Sequence, residues 1–296
     1  MRKALIPVLL IVVFALSACD LPFTVVWNTP APDSAPATAA PAVTDAPVVV
    51  ATEAPQQFEG YQTNLGGVAM VVPPCLGSSA TGVIVPGVTT PGEGPYFSVH
   101  PEYRQISIDG YPLSDKFWDP EIMVYPVAEF LALDQNNFIG GNVSSLQNIL
   151  GSQSIPADGA LPFIYTSGAA QAFHARASFI DFQNGQGIGY LAEYAQYYVP
   201  ANNEDLFYTF QGLTSDGLYI VSATFPVTAT FLQPSSMDAT IPAGGLAQPD
   251  AMSASEAEME AYYTNMENML TAAPDEQFTP TISCIITFVE SLNITD

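Results

Sequence analysis

The chain has 296 residues, 48% of them hydrophobic and only 11% charged, with 5 Lys and Arg against 29 Asp and Glu for a net charge of −24. This acid excess excludes nucleic acid as a partner, because phosphates require a basic surface, and it excludes electrostatic adhesion to anionic lipid headgroups. The apolar content is too high for a disordered acidic tail and sufficient for a sizeable core.

In chain order, Arg2 and Lys3 precede the apolar run "ALIPVLLIVVFAL", and Ser17 and Ala18 lead into Cys19. Charged, apolar and small residues in that order predict an export signal over residues 1–18. The run is short for a membrane span, and no later segment is apolar enough to make one. Leu16-Ser17-Ala18-Cys19 resembles the lipobox of bacterial lipoproteins. The resemblance implies cleavage before Cys19, acylation of that cysteine, and a lipid-anchored position on the extracytoplasmic face of the cytoplasmic membrane. Asp20 resembles the inner-membrane retention signal of bacteria with two membranes. The alternative is an ordinary cleaved signal with an incidental cysteine. Each buried methylene contributes about 0.8 kcal/mol, so two or three acyl chains on Cys19 would hold the protein without a transmembrane helix. Loss of Arg2 and Lys3 leaves three cations, Arg104, Lys116 and Arg176, and a charge of 3 − 29 = −26.

Residues 19–57 are rich in Pro, Ala, Thr and Val without apolar periodicity, which predicts a disordered, partly polyproline linker. At about 3.1 Å per residue its contour could exceed about 100 Å, long enough to lift a domain away from a membrane. From 58 to 296 the composition turns to aromatic and β-branched residues, a length suited to one domain. "GGVAMVVPP", "TGVIVPG", "YRQISIDGYP" and "EIMVYPV" read as strands bounded by Pro, Gly and Asp. "VAEFLALDQNNF" and "VSSLQNILG" read as one helix broken at Gly140 and Gly141.

Asn184-Gly185 predicts a hairpin with a two-residue type I′ turn. Paired positions then sum to 369, placing Arg176 opposite Glu193 and His174 opposite Ala195; a longer loop including Gly187 gives 371 and a diagonal Arg176–Glu193 contact. A second hairpin turns at Asp216-Gly217, or in a three-residue loop ending at Gly217. Its arms carry apolar residues at both parities, as central strands covered on both faces do. "SASEAEMEAYYTNMENML" predicts a helix with a capping box at Ser253 or Ser255 and an apolar stripe from Met259 to Leu270. Thr279 and Pro280 suit the N-cap and first turn of a final helix, although its β-branched residues would also suit a strand.

These elements predict an α+β domain, an antiparallel sheet with helices packed on it. "GVAMVVP", "SDGLYIVSATFP" and "FTPTISCIITFVESLNI" are similar in order and style to PsbP-like domains, a family that includes accessory proteins of photosystem II. The resemblance covers scattered parts of 58–296, implies the fold alone and transfers no site residue; the loop at 232–252 departs from it.

Once Cys19 is lipidated, Cys75 and Cys284 are the cysteines left to pair, and an oxidising compartment lets a disulfide between them persist. The alternative is two free, buried thiols. No metal site is expected from cysteines so far apart, and no cofactor site from "GQGIG", which lacks the helix and lysine of a phosphate loop. His100 and His174 are the only histidines, and there is no Gly-x-Ser-x-Gly elbow. Tyr190, Tyr194 and Tyr198 share one strand parity and are, with His174, the candidate binding residues; the alternative is a half-buried strand face. The sequence therefore predicts a lipid-anchored, non-enzymatic binding or accessory module of the cell envelope. Its partner would be an envelope protein, a polymer or a small ligand. The alternative is an extracytoplasmic hydrolase with a site near His174.

Overall fold

Phe207, Thr209, Gln211 and Leu213 alternate with Tyr208, Phe210 and Gly212 along one strand, yet every one of them is buried, so apolar layers must cover both faces of the sheet to which they belong. A computed structural model describes residues 57–90, 99–134, 138–157, 159–164 and 168–296, all within the compact unit Pro55–Asp296. The predicted signal, Cys19 and nearly all of the linker lie outside the described residues.

The strands are β1 (Tyr61–Leu65), β2 (Val68–Val72), β3 (Ser79–Val85), β4 (Tyr103–Asp109), β5 (Glu121–Pro126), β6 (Ala170–Phe182), β7 (Gly185–Ala195), β8 (Phe207–Thr214), β9 (Tyr219–Pro226), β10 (Thr228–Ala229), β11 (Phe278–Thr279) and β12 (Asn293–Ile294). The helices are α1 (Val127–Leu133), α2 (Phe138–Ser152), α3 (Glu256–Ala272) and α4 (Ile282–Glu290). Seven strands form an antiparallel sheet in the order β3-β4-β5-β9-β8-β7-β6. This is the α+β architecture expected. The β8–β9 arms are central, and their turn is longer than expected: Leu213 and Thr214 precede a four-residue connection in which Gly217 takes φ 72°. Asp216 closes it by accepting from the Thr214 hydroxyl at 2.6 Å and the Leu218 amide at 2.9 Å.

One face of the sheet carries Ile122, Val124, Phe210, Val221 and Phe225 against α3, α4 and β2. The other carries Met123, Tyr125, Ile188, Tyr190 and Phe207 against α1, α2 and residues 161–164. Among the described residues no helix is long and apolar enough to cross a membrane.

Helix boundaries follow polar side chains that satisfy the free amides of each first turn. The break between α1 and α2 comes before Gly140 and Gly141, not at them. Asp134 accepts from the amides of Phe138 at 3.0 Å and Gly140 at 2.7 Å, so both glycines fall inside the first turn of α2. Ser255, not Ser253, caps α3 in a capping box with Glu258. The final segment is helical, but it begins after Thr281 rather than Thr279, because Phe278 and Thr279 pair with β10. Asp275 caps it from outside, accepting from the Ile282 amide at 3.0 Å and the Ser283 hydroxyl at 2.6 Å. Cys75, in the turn after β2, is disulfide-bonded to Cys284 in α4 with Cα atoms 6.2 Å apart.

Candidate functional site

The β6–β7 hairpin positions the site, and its register differs from the expected one. Gln183 and Asn184 form the two-residue loop, Phe182 pairs with Gly185, and paired positions sum to 367 near the turn. Neither Asn184 nor Gly185 has positive φ, so the turn is not type I′. Gly185 serves a different need, since a Cβ there would collide with the Phe182 ring and the Leu213 carbonyl. Asn184 instead ties the hairpin to β12, donating to the Ile294 carbonyl and accepting from its amide at 2.9 Å.

Two bulges then shift the pairing, at Ala172 and at Arg176–Ala177, so His174 pairs with Ala192 and Phe173 with Glu193. Arg176 takes φ 54°, and it points to the α3 side together with its neighbour Ala175. Its guanidinium donates to the Ala273 carbonyl, approaches Asp275 at 3.9 Å and lies 5.1 Å from the Phe278 ring centroid. The expected Arg176–Glu193 pair is absent from these described contacts. Glu193 is fully buried and accepts from the Asn202 amide at 3.2 Å and its side chain at 3.4 Å. Burial pushes its carboxyl well above the ordinary 4.5, which the Asn202 amide opposes and nearby Asp205 reinforces.

The three candidate tyrosines do not form one surface. Tyr190 is fully buried and donates to the Pro162 carbonyl at 2.9 Å. The Tyr194 hydroxyl accepts from Gln171 at 2.8 Å, and its ring lies 4.7 Å from that of Phe163, within the α2-side core. β7 ends at Ala195, so the strand parity no longer governs position 198. Tyr198 turns to the α3 side, with its ring centroid 6.2 Å from that of Tyr263.

A cleft of about 910 Å³ opens where β6, the end of β7, Ala157, Gly159, Ala160 and α3 meet. Ala170, Gln171, Ala172, Phe173 and His174 all line it. Successive strand residues point to opposite faces, so five consecutive ones can share a cleft only if it runs along the strand's edge. α3 supplies Glu260, Thr264 and Glu267, which share one helical stripe, with Tyr263 beside them. Tyr197 and Tyr198 stand at the mouth, 76% and 45% exposed. α3 also anchors the chain that carries them. Tyr263 bonds both the amide and the carbonyl of Val199, at 3.2 and 2.8 Å, and the Tyr262 hydroxyl accepts from the Ala201 amide at 3.0 Å. Burial pushes both phenols up to about 12, keeping them neutral at physiological pH.

His174 lines this cleft, as expected of a candidate binding residue, half-buried and edge-on to Tyr190 at 6.4 Å. Burial lowers its pKa, with the charge of Glu267 opposing. Glu267 holds the backbone amide of His174 at 3.4 Å. A second, smaller cavity of about 290 Å³ contains His100, Gln105, Asp119 and Glu121. There Nδ1 of His100 bonds the Pro101 carbonyl at 2.9 Å, and Gln105 donates to Glu121. Among the described residues no group of three or more His, Cys, Asp or Glu is arranged to hold a metal ion.

The sequence reading missed Tyr197, Glu260, Tyr263, Thr264 and Glu267 as cleft residues. The spacing of Glu260, Thr264 and Glu267 on the polar side of a predicted helix was the available signal, but it did not reveal which sheet edge that side would meet. Compared with protein-family models, curated proteins and solved structures, the chain matches none.

Proposed function

We propose that the protein is a lipid-anchored extracytoplasmic lipoprotein whose folded domain is a non-enzymatic binding module of the cell envelope, with the cleft between β6 and α3 as its binding site. The lipobox-like Leu16-Ser17-Ala18-Cys19 supports the anchor and the address. The observation that carries the binding reading is the cleft, which combines exposed tyrosine rings, two carboxylates and a sheet edge in one accessible groove.

A hydrolase is the second reading, because His174 lies in the same cleft. One observation favours binding over it. Glu267 engages the backbone amide of His174, and among the described hydrogen bonds it makes none to the imidazole that would orient a base.

Tyrosine nitration tests the binding reading. Solubilised envelope proteins, wall polymer and a low-molecular-weight extract are each added to the purified chain. Protection of Tyr197 and Tyr198 by one fraction, with the 47% exposed Tyr61 of β1 still reactive, is the expected result. Unchanged reactivity at both cleft tyrosines with every fraction contradicts it.

A further inference from the structure

The cleft is selective in charge and in backbone chemistry. Glu260 and Glu267 are the only Asp, Glu, Lys or Arg among its described lining residues. His174, its pKa lowered by burial, adds no compensating cation at neutral pH. The nearest strand cation, Arg176, is committed to the Ala273 carbonyl, Asp275 and Phe278. Tyr197, Tyr198 and Tyr263 add ring faces, which attract ammonium and guanidinium groups.

The floor of the cleft is the outer edge of β6, the terminal strand of the sheet, where among the described residues no strand pairs the backbone groups. α3 covers part of that edge. Glu267 accepts from the amide of His174 at 3.4 Å and Thr271 from that of Arg176 at 3.3 Å. Before His174 the edge that lines the cleft is Ala170, Gln171 and Ala172, with neither the lysine nor the proline that commonly blocks strand addition. The bulge at Ala172 bends this edge and restricts pairing to a short stretch, so contacts to carboxylates and rings must supply the rest of the recognition.

We propose that the cleft takes an extended, lysine- or arginine-bearing polypeptide segment that pairs along the β6 edge and sets its cationic side chains against Glu260, Glu267 and the tyrosine rings. This rests on the reading of the cleft as the binding site. Ala170 to Ala172, at about 3.3 Å each, leave an edge of about three residues for pairing before the His174 amide that Glu267 holds, and the carboxylates and rings hold the rest of the segment. Main-chain pairing gives such a site affinity and the side-chain pockets give it selectivity.

The test uses the purified full chain in detergent and a fluorescein-labelled heptapeptide of alternating lysine and valine, read by anisotropy. Saturable binding is expected, weakened about tenfold or more when alternate backbone amides of the peptide are N-methylated and lost when glutamate replaces lysine. Glu260→Lys, at an exposed helix position, should weaken binding about tenfold with the melting temperature unchanged. No binding of the lysine peptide, equal binding of its N-methylated form, or indifference to Glu260→Lys each overturns the proposal. Chitohexaose serves as the carbohydrate probe. If it protects Tyr197 from nitration and the peptide does not, the occupant is a polysaccharide: the proposal fails and the binding-site reading stands. If neither probe nor any envelope fraction protects Tyr197 and Tyr198, both fail.

Discussion

Glu193 is a carboxyl kept in the interior by neutral partners, the amide and side chain of Asn202, with no basic group in its described contacts. Its pKa is raised in the folded protein, so its unfolded form releases a proton first as pH rises. The stability linked to it is fully present below about pH 4.5 and is lost as pH rises through the folded value, by up to about 1.4 kcal/mol per pH unit. Glu193→Gln should therefore flatten the decline of the melting temperature as pH rises above about 4.5, relative to the parent chain. Parallel profiles would show that Glu193 does not titrate in this way. Arg176 acts elsewhere, fastening residues 273–278 to the β6 bulge. Arg176→Ala should cost about 1 to 3 kcal/mol, mainly through the lost bond to the Ala273 carbonyl. In denaturant unfolding its effect should add to that of Glu193→Gln within about 0.5 kcal/mol, because the two groups share no described partner. A larger coupling energy would restore the link between them that the bulge removes.

Elements with strong periodicity were legible from sequence, and those decided by single polar groups were not. The stripe Met259, Tyr262, Tyr263, Met266 and Leu270 foretold the buried side of α3, and the apolar parity of β8 and β9 foretold their central place. The β6–β7 register departs from the type I′ expectation because Gly185 answers close packing against Phe182 and Leu213 rather than a need for positive φ. The bulge at Arg176–Ala177 moves Arg176 further from Glu193, and no residue pattern within the strand announces it. The candidate site was half legible for the same reason. Tyr190 and Tyr194, within β7, enter the α2-side core, whereas Tyr198, beyond the end of β7, reaches the cleft with His174. At this scale the capping box of α3 gives a prediction. Ser255→Ala should destabilise the domain by about 1 kcal/mol in chemical unfolding, and Ser253→Ala by much less, since Ser255 alone completes the reciprocal pair with Glu258. Equal losses would show that the helix begins elsewhere.

Across the whole molecule, the disulfide joins the β2–β3 turn to α4 over a sequence separation of 209 residues. Removing so long a constraint by Cys75→Ser with Cys284→Ser should cost about 2 to 5 kcal/mol, and the parent chain should lose a similar amount on reduction. No change on reduction would mean that the bond adds nothing to the folded state. The anchor is tested separately: Cys19→Ala should leave an uncleaved or mislocalised precursor, and a processed Cys19→Ala protein retained in the membrane would defeat the lipoprotein reading. The account turns most on the cleft at the edge of β6, which in-cell photo-crosslinking tests directly. A photoreactive residue in place of Tyr197 should yield a discrete adduct, while the same residue in place of Phe117, 70% exposed but outside the cleft, should yield none. Equal adducts at both positions, or none at position 197, would contradict the assignment of this cleft as the place where the protein meets its partner.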